Sequence, residues 1–317
     1  MTLNNAVASF VEWRALKSKP RTINGYMRNL VHFALFIRKL DTPVESIMLE
    51  DCIEYLNLCR QLGYDENTIN KKAISLKLLF DYLRDRDVKV LNPSLIPIPK
   101  KEFRFPRVAN EEDYRKLLAC IPEVGKMGKP LYWHIRNKAI IMLLWDTGAR
   151  NGEIANLELD DIDLDRMSAR IKTEKSRGTI PFREIFWRSD TNEALAAWLD
   201  AREDFFKDVE VRDRHHVFIG IKGGYGSKND ENSSFGRRLQ VNYVSEILRK
   251  YSNRAGLQAP LNPHSFRHHM GRDLAMKGVI AHGISSILGH AQVQSSYPYT
   301  MLFGKDREKL YRENVGR

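Results

Sequence analysis

With 317 residues, 43% of them hydrophobic and 29% charged, the chain has the composition of a globular protein long enough for two cores. No run of about 18 apolar residues occurs, the opening MTLNNAVASF lacks the basic and apolar regions of a secretion signal, and three cysteines make neither a disulfide framework nor a metal cluster. A cytoplasmic protein without a membrane partner is expected, and a formal net charge of +11 spread over both halves suits a polyanion, DNA or RNA, that touches both.

Residues 1–97 read as helical throughout. Thr22 is placed to cap a helix with Tyr26, Leu30, Phe33 and Phe36 or Ile37 inward. A second helix runs from about Leu49 to Gly63 and buries Ile53 and Leu56. Asn67 or Thr68 then caps a third, which carries Ile69, Leu76, Leu79, Phe80 and Leu83. A small bundle accounts for this pattern, and its polar faces present Arg21, Arg28, Lys71, Lys72 and Lys77, spaced to lie along phosphates. The stretch NPSLIPIPKKEFRFP (92–106) has four prolines in fifteen residues, which prevents helix and favours an extended path. Residues 98–109 are therefore expected to link two domains, 1–97 and 110–317, with Lys100, Lys101, Arg104 and Arg107 making a basic strap.

A capped helix opens the second domain at Asn110, and Ile135 to Asp146 is apolar enough for a buried helix that ends at Thr147-Gly148. Arg150 opens the short helix ARNGEIANL. The period then changes: Met167, Ala169 and Ile171 alternate with Ser168, Arg170 and Lys172, a strand that turns at TEKSRG and returns as TIPF. Helices resume near 191–206 and 241–255, separated by a glycine-rich run from Gly220 to Gly236 that reads as a mobile surface loop. The domain is thus mainly helical with a small antiparallel sheet.

Pro263 starts a helix whose Phe266, Met270 and Leu274 face a core, which puts His264 and Arg267 together on a polar face. A short helix follows with Ile284, Ile287 and Leu288 inward and Gly289 at its C-terminal cap, so that His290 emerges beyond a helix end. Tyr299 comes nine residues later. Each residue has a bland reading. Lys172 suits a solvated hairpin, His264 and Arg267 a buried polar pair, His290 a helix C-terminus, and Tyr297 competes with Tyr299. Arg150 sits badly at a helix N-terminus, where the dipole disfavours a cation, unless an anion binds there with Glu153 fixing the guanidinium.

Together they change character. Two arginines, two histidines, a lysine and a tyrosine, without acidic metal ligands, are what phosphoryl transfer without metal or nucleotide cofactor requires. The arginines neutralise the non-bridging oxygens of a phosphodiester, the tyrosine attacks phosphorus, and an acid protonates the departing sugar oxygen. Ionising a tyrosine at pH 7 costs roughly 4 kcal/mol unless nearby cations offset it.

TGARNGEIANL, HSFRHH, ILGH and Tyr299-Thr300 resemble the conserved boxes of the tyrosine recombinases, the phage integrase family, in order and in spacing. TINGYMRNLVHF and ENTINKKAISLKLLFDYL resemble the helical, SAM-like core-binding domain that precedes the catalytic domain, so the whole chain looks like a simple two-domain, Xer-like member with no separate arm-binding domain before Leu3. The resemblance implies a site-specific recombinase in which Arg150 and Arg267 clamp the scissile phosphate. Lys172 would be the general acid, His264 would exchange a proton with the tyrosine, His290 would bond the phosphate, and Tyr299 would form a 3′-phosphotyrosine. Glu153 and His268 would be supporting. The implied partners are double-stranded DNA with inverted-repeat core sites and three further copies in a tetramer, joined by a C-terminal segment within Phe303 to Arg317. The hairpin after Lys172 is one residue longer than the family's commonest spacing, which makes Lys175 a rival acid. Pro298 requires the tyrosine to ride on a first helical turn or a loop. A type IB topoisomerase and a non-catalytic DNA-binding protein on the same scaffold are the alternatives.

Overall fold

The computed structural model describes residues 1–37, 42–102, 107–122, 131–173, 182–207, 211–221, 235–290, 292–300, 311, 312 and 315. They form two compact units, Met1–Phe105 and Pro106–Arg317. The proline-rich stretch is tied down on both sides of that division. Asn70 and Asn67 donate to the carbonyls of Pro99 (2.6 Å) and Glu102 (3.1 Å), and in the second unit Arg107 donates to the Pro260 carbonyl at 2.9 Å.

Among the described residues the first unit has four α-helices: α1 (Leu3–Ala15), α2 (Pro20–Ile37), α3 (Leu49–Gln61) and α4 (Glu66–Arg84). Their core includes Phe10, Leu30, Phe33, Tyr55, Leu76 and Phe80. Three local expectations shift. α2 begins at Pro20, where proline's fixed φ suits a first turn, and not at a Thr22 cap. Asp65, not Asn67 or Thr68, caps α4, its carboxylate accepting the Thr68 N–H at 3.0 Å. In α3 the buried stripe is Cys52, Tyr55, Leu56 and Cys59, which leaves Ile53 exposed.

The larger departure is Lys72, expected on a polar face and found 5% exposed. It lies three residues after Ile69 and four before Leu76, on the apolar stripe itself. Its ammonium donates to the Tyr55 hydroxyl at 3.1 Å and sits 4.9 Å from the Tyr64 ring centre, with no carboxylate partner among the described residues. Burial, with Arg28 adding to it, lowers its pKa. Lys72 lines a groove of about 570 Å³ between α2 and α4, together with Arg28, Asn29, His32 and Lys71.

The second unit is built on α6 (Tyr132–Thr147), buried around nearly its whole circumference and begun three residues before Ile135. α5 (Glu111–Ala119) and α10 (Pro263–Met276) hold its end through an aromatic stack, in which Tyr114 and His269 lie 4.1 and 3.9 Å from Trp145. α8 (Ser189–Phe206) and α9 (Val241–Arg254) cover other sides. The sheet is antiparallel in the order β1 (Ile162–Asp163), β2 (Ser168–Lys172), β3 (Phe182–Phe186), with Ile171 opposite Arg183 and Lys172 opposite Phe182. Met167 belongs to the β1–β2 turn, at φ +50°, and not to the strand. Ser168, expected outward, is buried. Lys175 and its turn, residues 222–234 of the glycine-rich run, and all of the Phe303–Arg317 segment except 311, 312 and 315 lie outside the described residues. Mainly helical with one small antiparallel sheet, the architecture is the one the periodicities indicate, and no described helix is long and apolar enough to cross a membrane.

A buried ammonium without a carboxylate is desolvated for little return, so exchanging it for an apolar chain of similar length relieves that cost. Lys72→Met in the full chain is expected to slow hydrogen exchange of α3 and α4 amides or leave it unchanged. Faster exchange there would mean the cation holds the helices together.

Candidate active site

α11 (Ala281–Leu288) is two turns long and ends at Gly289, whose φ of +65° is the left-handed conformation that glycine adopts without strain. The last carbonyls of any helix lack partners within it and carry the negative end of its dipole. Here three guanidinium groups from three different elements take three successive carbonyls. Arg183 on β3 donates to Ile287 at 2.7 Å, Arg267 on α10 donates to Leu288, and Arg150 donates to Gly289 at 3.0 Å.

Each arginine is held from a second side. Arg150 precedes α7 (Asn151–Ala155); its backbone N–H and its Nη1 donate to the two oxygens of Glu153, at 2.9 and 2.8 Å. Arg183 Nη2 meets the same carboxylate at 2.9 Å. Arg267 Nη1 donates at 2.9 Å to the carbonyl of Gly148, the left-handed residue that ends α6 and packs against Leu288 and Met270. Glu153 is 2% exposed. Burial is the strongest influence on its carboxyl and pushes its pKa up, but Arg183 and Arg150 outweigh it and the net shift is downward. Burial lowers the Arg267 pKa to about 9, with Arg150 and Arg183 adding to it and Glu153 opposing, which leaves the group protonated at pH 7.

Tyr299 lies on α12 (Tyr297–Thr300), a single turn that follows a short 3₁₀ segment, with Pro298 inside the first turn where its missing N–H costs nothing. Its ring lies on Gly271 of α10, where a Cβ would come within 2.8 Å. It stacks on His290 at 6.0 Å between centres, and its hydroxyl meets His268 Nδ1 at 3.0 Å. Tyr299 is 9% exposed and Tyr297 47%. Burial raises the phenol pKa, and Arg267 and Arg150 partly offset it. His290 Nδ1 is engaged by the Ser296 hydroxyl at 2.6 Å. Burial, then Arg267, Arg150, Arg183 and His268, lowers the His290 pKa to about 3; burial, then His264 and Arg267, lowers that of His268 to about 4.

Arg150, Arg267, His290 and Tyr299 are thus brought together. His264 and Arg267, neighbours on one face of α10, differ in burial: the helix packs against α6 and α11, which leaves Arg267 3% exposed while His264 is exposed, its ring 6.5 Å from His268. Ile287, expected inward, is 43% exposed, and Ser285 is buried in its stead. Lys172 ends β2 exposed, beside a cavity of about 230 Å³ that Glu153 also lines. Two participants stand out less in the sequence than in the structure. His268, supporting in the family resemblance, meets the tyrosine hydroxyl. Arg183 has as its one local signal a cation on the same strand face as Ile185. The described group able to hold a cation, Glu158 with His215 and His216, has ligand atoms within 4.8 Å of one another and includes none of these residues.

Residues 108–304 match the phage integrase family, and residues 11–87 match the family's N-terminal SAM-like domain. The chain belongs to the phage integrase family. It is 28% identical over 312 residues to the tyrosine recombinase XerC of Alcanivorax borkumensis, covering 98% of this chain and 92% of that one. Its fold resembles the Tn1549 transposon integrase in complex with transposon right end DNA (TM-score 0.69, 19% identity, all of both chains). It also resembles the XerH recombinase bound to its difH substrate (TM-score 0.69, 21% identity, 97% of this chain and 84% of that one).

Because the folded-state pKa values of His268 and His290 lie below the ordinary value of 6.5, acid protonates these histidines in the unfolded chain first. Their contribution to stability is complete above about pH 6.5 and is lost as pH falls toward about 4 and about 3. The melting temperature is expected to fall between pH 7.5 and 4.5, and to fall less steeply in His290→Asn. An equal slope in the variant would show that His290 is not held neutral. Gly289→Ala forces a left-handed alanine whose Cβ would stand 2.6 Å from Arg183 Cδ. A loss on the order of 1–2 kcal/mol or more is expected by denaturant titration.

Proposed function

We propose that this integrase-family chain is a site-specific DNA recombinase that cleaves and rejoins strands through a 3′-phosphotyrosine at Tyr299. The observation that carries the reading is one buried tyrosine whose hydroxyl meets His268 and whose ring stacks on His290, the residue that follows the carbonyl bound by Arg150. Arg150 and Arg267 bind the non-bridging oxygens of the scissile phosphate, and the Nε2 of His290, whose Nδ1 is occupied by Ser296, bonds the same group. The phenol loses its proton through His268 and His264, the phenolate oxygen bonds phosphorus, and the phosphorus–5′-oxygen bond breaks. Lys172 delivers the proton the 5′-oxygen needs. The phosphotyrosine bond conserves the energy of the diester, so rejoining requires neither nucleotide nor metal. A phenol whose pKa burial has raised stays protonated in the resting enzyme, which guards the nucleophile until an imidazole takes its proton.

The DNA partner is a duplex with inverted-repeat core sites. Arg28 and Lys71 beside the α2–α4 groove supply a second basic contact in the N-terminal unit, the core-binding domain of this reading. Four copies assemble on two sites, in the cytoplasm, with the C-terminal segment passed between neighbours.

On a duplex carrying its site, in EDTA, wild type is expected to form a covalent protein–DNA adduct that Tyr297→Phe retains and Tyr299→Phe loses. Mapping the adduct to Tyr297, or an absolute need for Mg²⁺, would overturn the assignment. A thiolate needs little help to leave, with a pKa of about 8.5 for a cysteine-like thiol. Sulfur at the bridging 5′ position should therefore restore cleavage to Lys172→Ala and not to Arg150→Ala. Restoration of Lys175→Ala in its place would transfer the acid role.

A further inference from the structure

Arg183 is the unexpected member of the arginine group. β3 alternates, and Arg183 lies on the inward face between Ile185 and the cross-strand neighbour Ile171, where a cation needs a reason. Its side chain is 8% exposed and both terminal nitrogens are spent, one on Glu153 and one on the Ile287 carbonyl. Its Nε is buried with no partner among the described residues, and the absent Cβ of Gly289 leaves room for its shaft. Glu153 takes two bonds from Arg150 and one from Arg183.

The charge arithmetic then decides. Arg150 with Glu153 alone is a neutral pair, which would leave Arg267 as the one net charge facing a phosphodiester. A five-coordinate phosphorus carries more than one negative charge on its non-bridging oxygens. Arg183 neutralises Glu153, so the three guanidiniums and one carboxylate leave two net positive charges where that charge builds. Its bond to Ile287 also fixes the carbonyl turn on which Arg150 and Arg267 rest.

We propose that Arg183 is a positioning residue for the phosphoryl-transfer site: by neutralising Glu153 and pinning the C-terminal turn of α11, it frees the charge of Arg150 for the phosphate without itself touching DNA. The inference rests on the recombinase reading above, and the experiment separates the two.

Single-turnover cleavage would be measured with the full chain on a nicked duplex built on the site it selects from random sequence. Arg183→Ala is expected to cleave on the order of 10²-fold more slowly, with DNA affinity within about threefold, since the residue does not reach the phosphate. Sulfur at the bridging 5′ position should not restore it, because the leaving group is not what it lost. Arg183→Lys should retain more activity than Arg183→Gln. The decisive variant is Arg183→Ala with Glu153→Gln, which removes the carboxylate that Arg183 balances and should cleave faster than Arg183→Ala alone. A purely structural role predicts the double variant no faster. That result, a rate for Arg183→Ala within threefold of wild type, rescue by sulfur, or equal rates for the lysine and glutamine variants would each overturn the proposal. Should Arg183→Ala fail to fold, the lysine–glutamine comparison decides. Without any DNA, the His290 imidazole followed by NMR should titrate at higher pH in Arg183→Gln than in Arg183→Lys, and no difference would equally count against the inference. Failure of wild type to form the Tyr299 adduct, with the imidazole shift present, would overturn the recombinase reading and leave the charge role of Arg183 standing.

Discussion

Three arginines on three successive carbonyls at the end of α11 are the constraint on which the second unit's chemistry depends. A helix end is a good anchor for cations because its unpaired carbonyls and its dipole act together. It is also rigid, since Gly289 closes the helix in a conformation that a bulkier residue resists. Arg150, Arg183 and Arg267 come from residues far apart in the chain, and without a common anchor their mutual repulsion would spread them. Anchored, they stay close while each is saturated from a second side, by Glu153 or by the carbonyl of Gly148.

That concentration of positive charge explains the state of the neighbouring groups. His290 and His268 lie beside it and inside the protein, so both burial and charge hold them neutral. Neutral imidazoles can take a proton from the phenol or bond a phosphate without adding further repulsion to the resting site. Tyr299 feels the two influences in opposite directions, burial raising its pKa and the arginines lowering it. In the proposed reaction a phosphate bound to the arginines would cancel part of their pull, and the imidazole on the hydroxyl would then supply most of the phenol's activation.

Buried cations recur in both units, with different costs. Among the described residues Lys72 has a hydroxyl and an aromatic face in place of a carboxylate, and Arg136, 1% exposed, has the Ile219 carbonyl, the side-chain amide oxygen of Asn137 and the Tyr243 ring. Desolvating a charge without a counter-charge weakens a fold, so these positions run against stability. In the N-terminal unit the buried ammonium borders the same groove as Arg28 and Lys71, which is where a polyanion would return what burial took away.

How far the sequence reached follows from the range of the forces involved. Helix and strand periods, caps such as Asn110, and the glycine ends at Gly148 and Gly289 are local, set by backbone sterics and by side chains within a turn, and they account for the helical class and the small sheet. The order and spacing of Arg150, His264, Arg267, His290 and Tyr299 were likewise written in the chain. Tertiary packing decided what periodicity treats as equivalent: that Arg267 is buried while His264 is exposed, that Lys72 faces inward, that His268 meets the tyrosine hydroxyl, and that Arg183 joins the arginines. A helical period says which residues share a face, but not which face meets the core, nor which distant carbonyl completes a guanidinium. Those outcomes depend on hydrogen bonds and desolvation between separate elements, from 17 residues apart for Lys72 and Tyr55 to 119 for Arg267 and Gly148, where no local pattern records the partner.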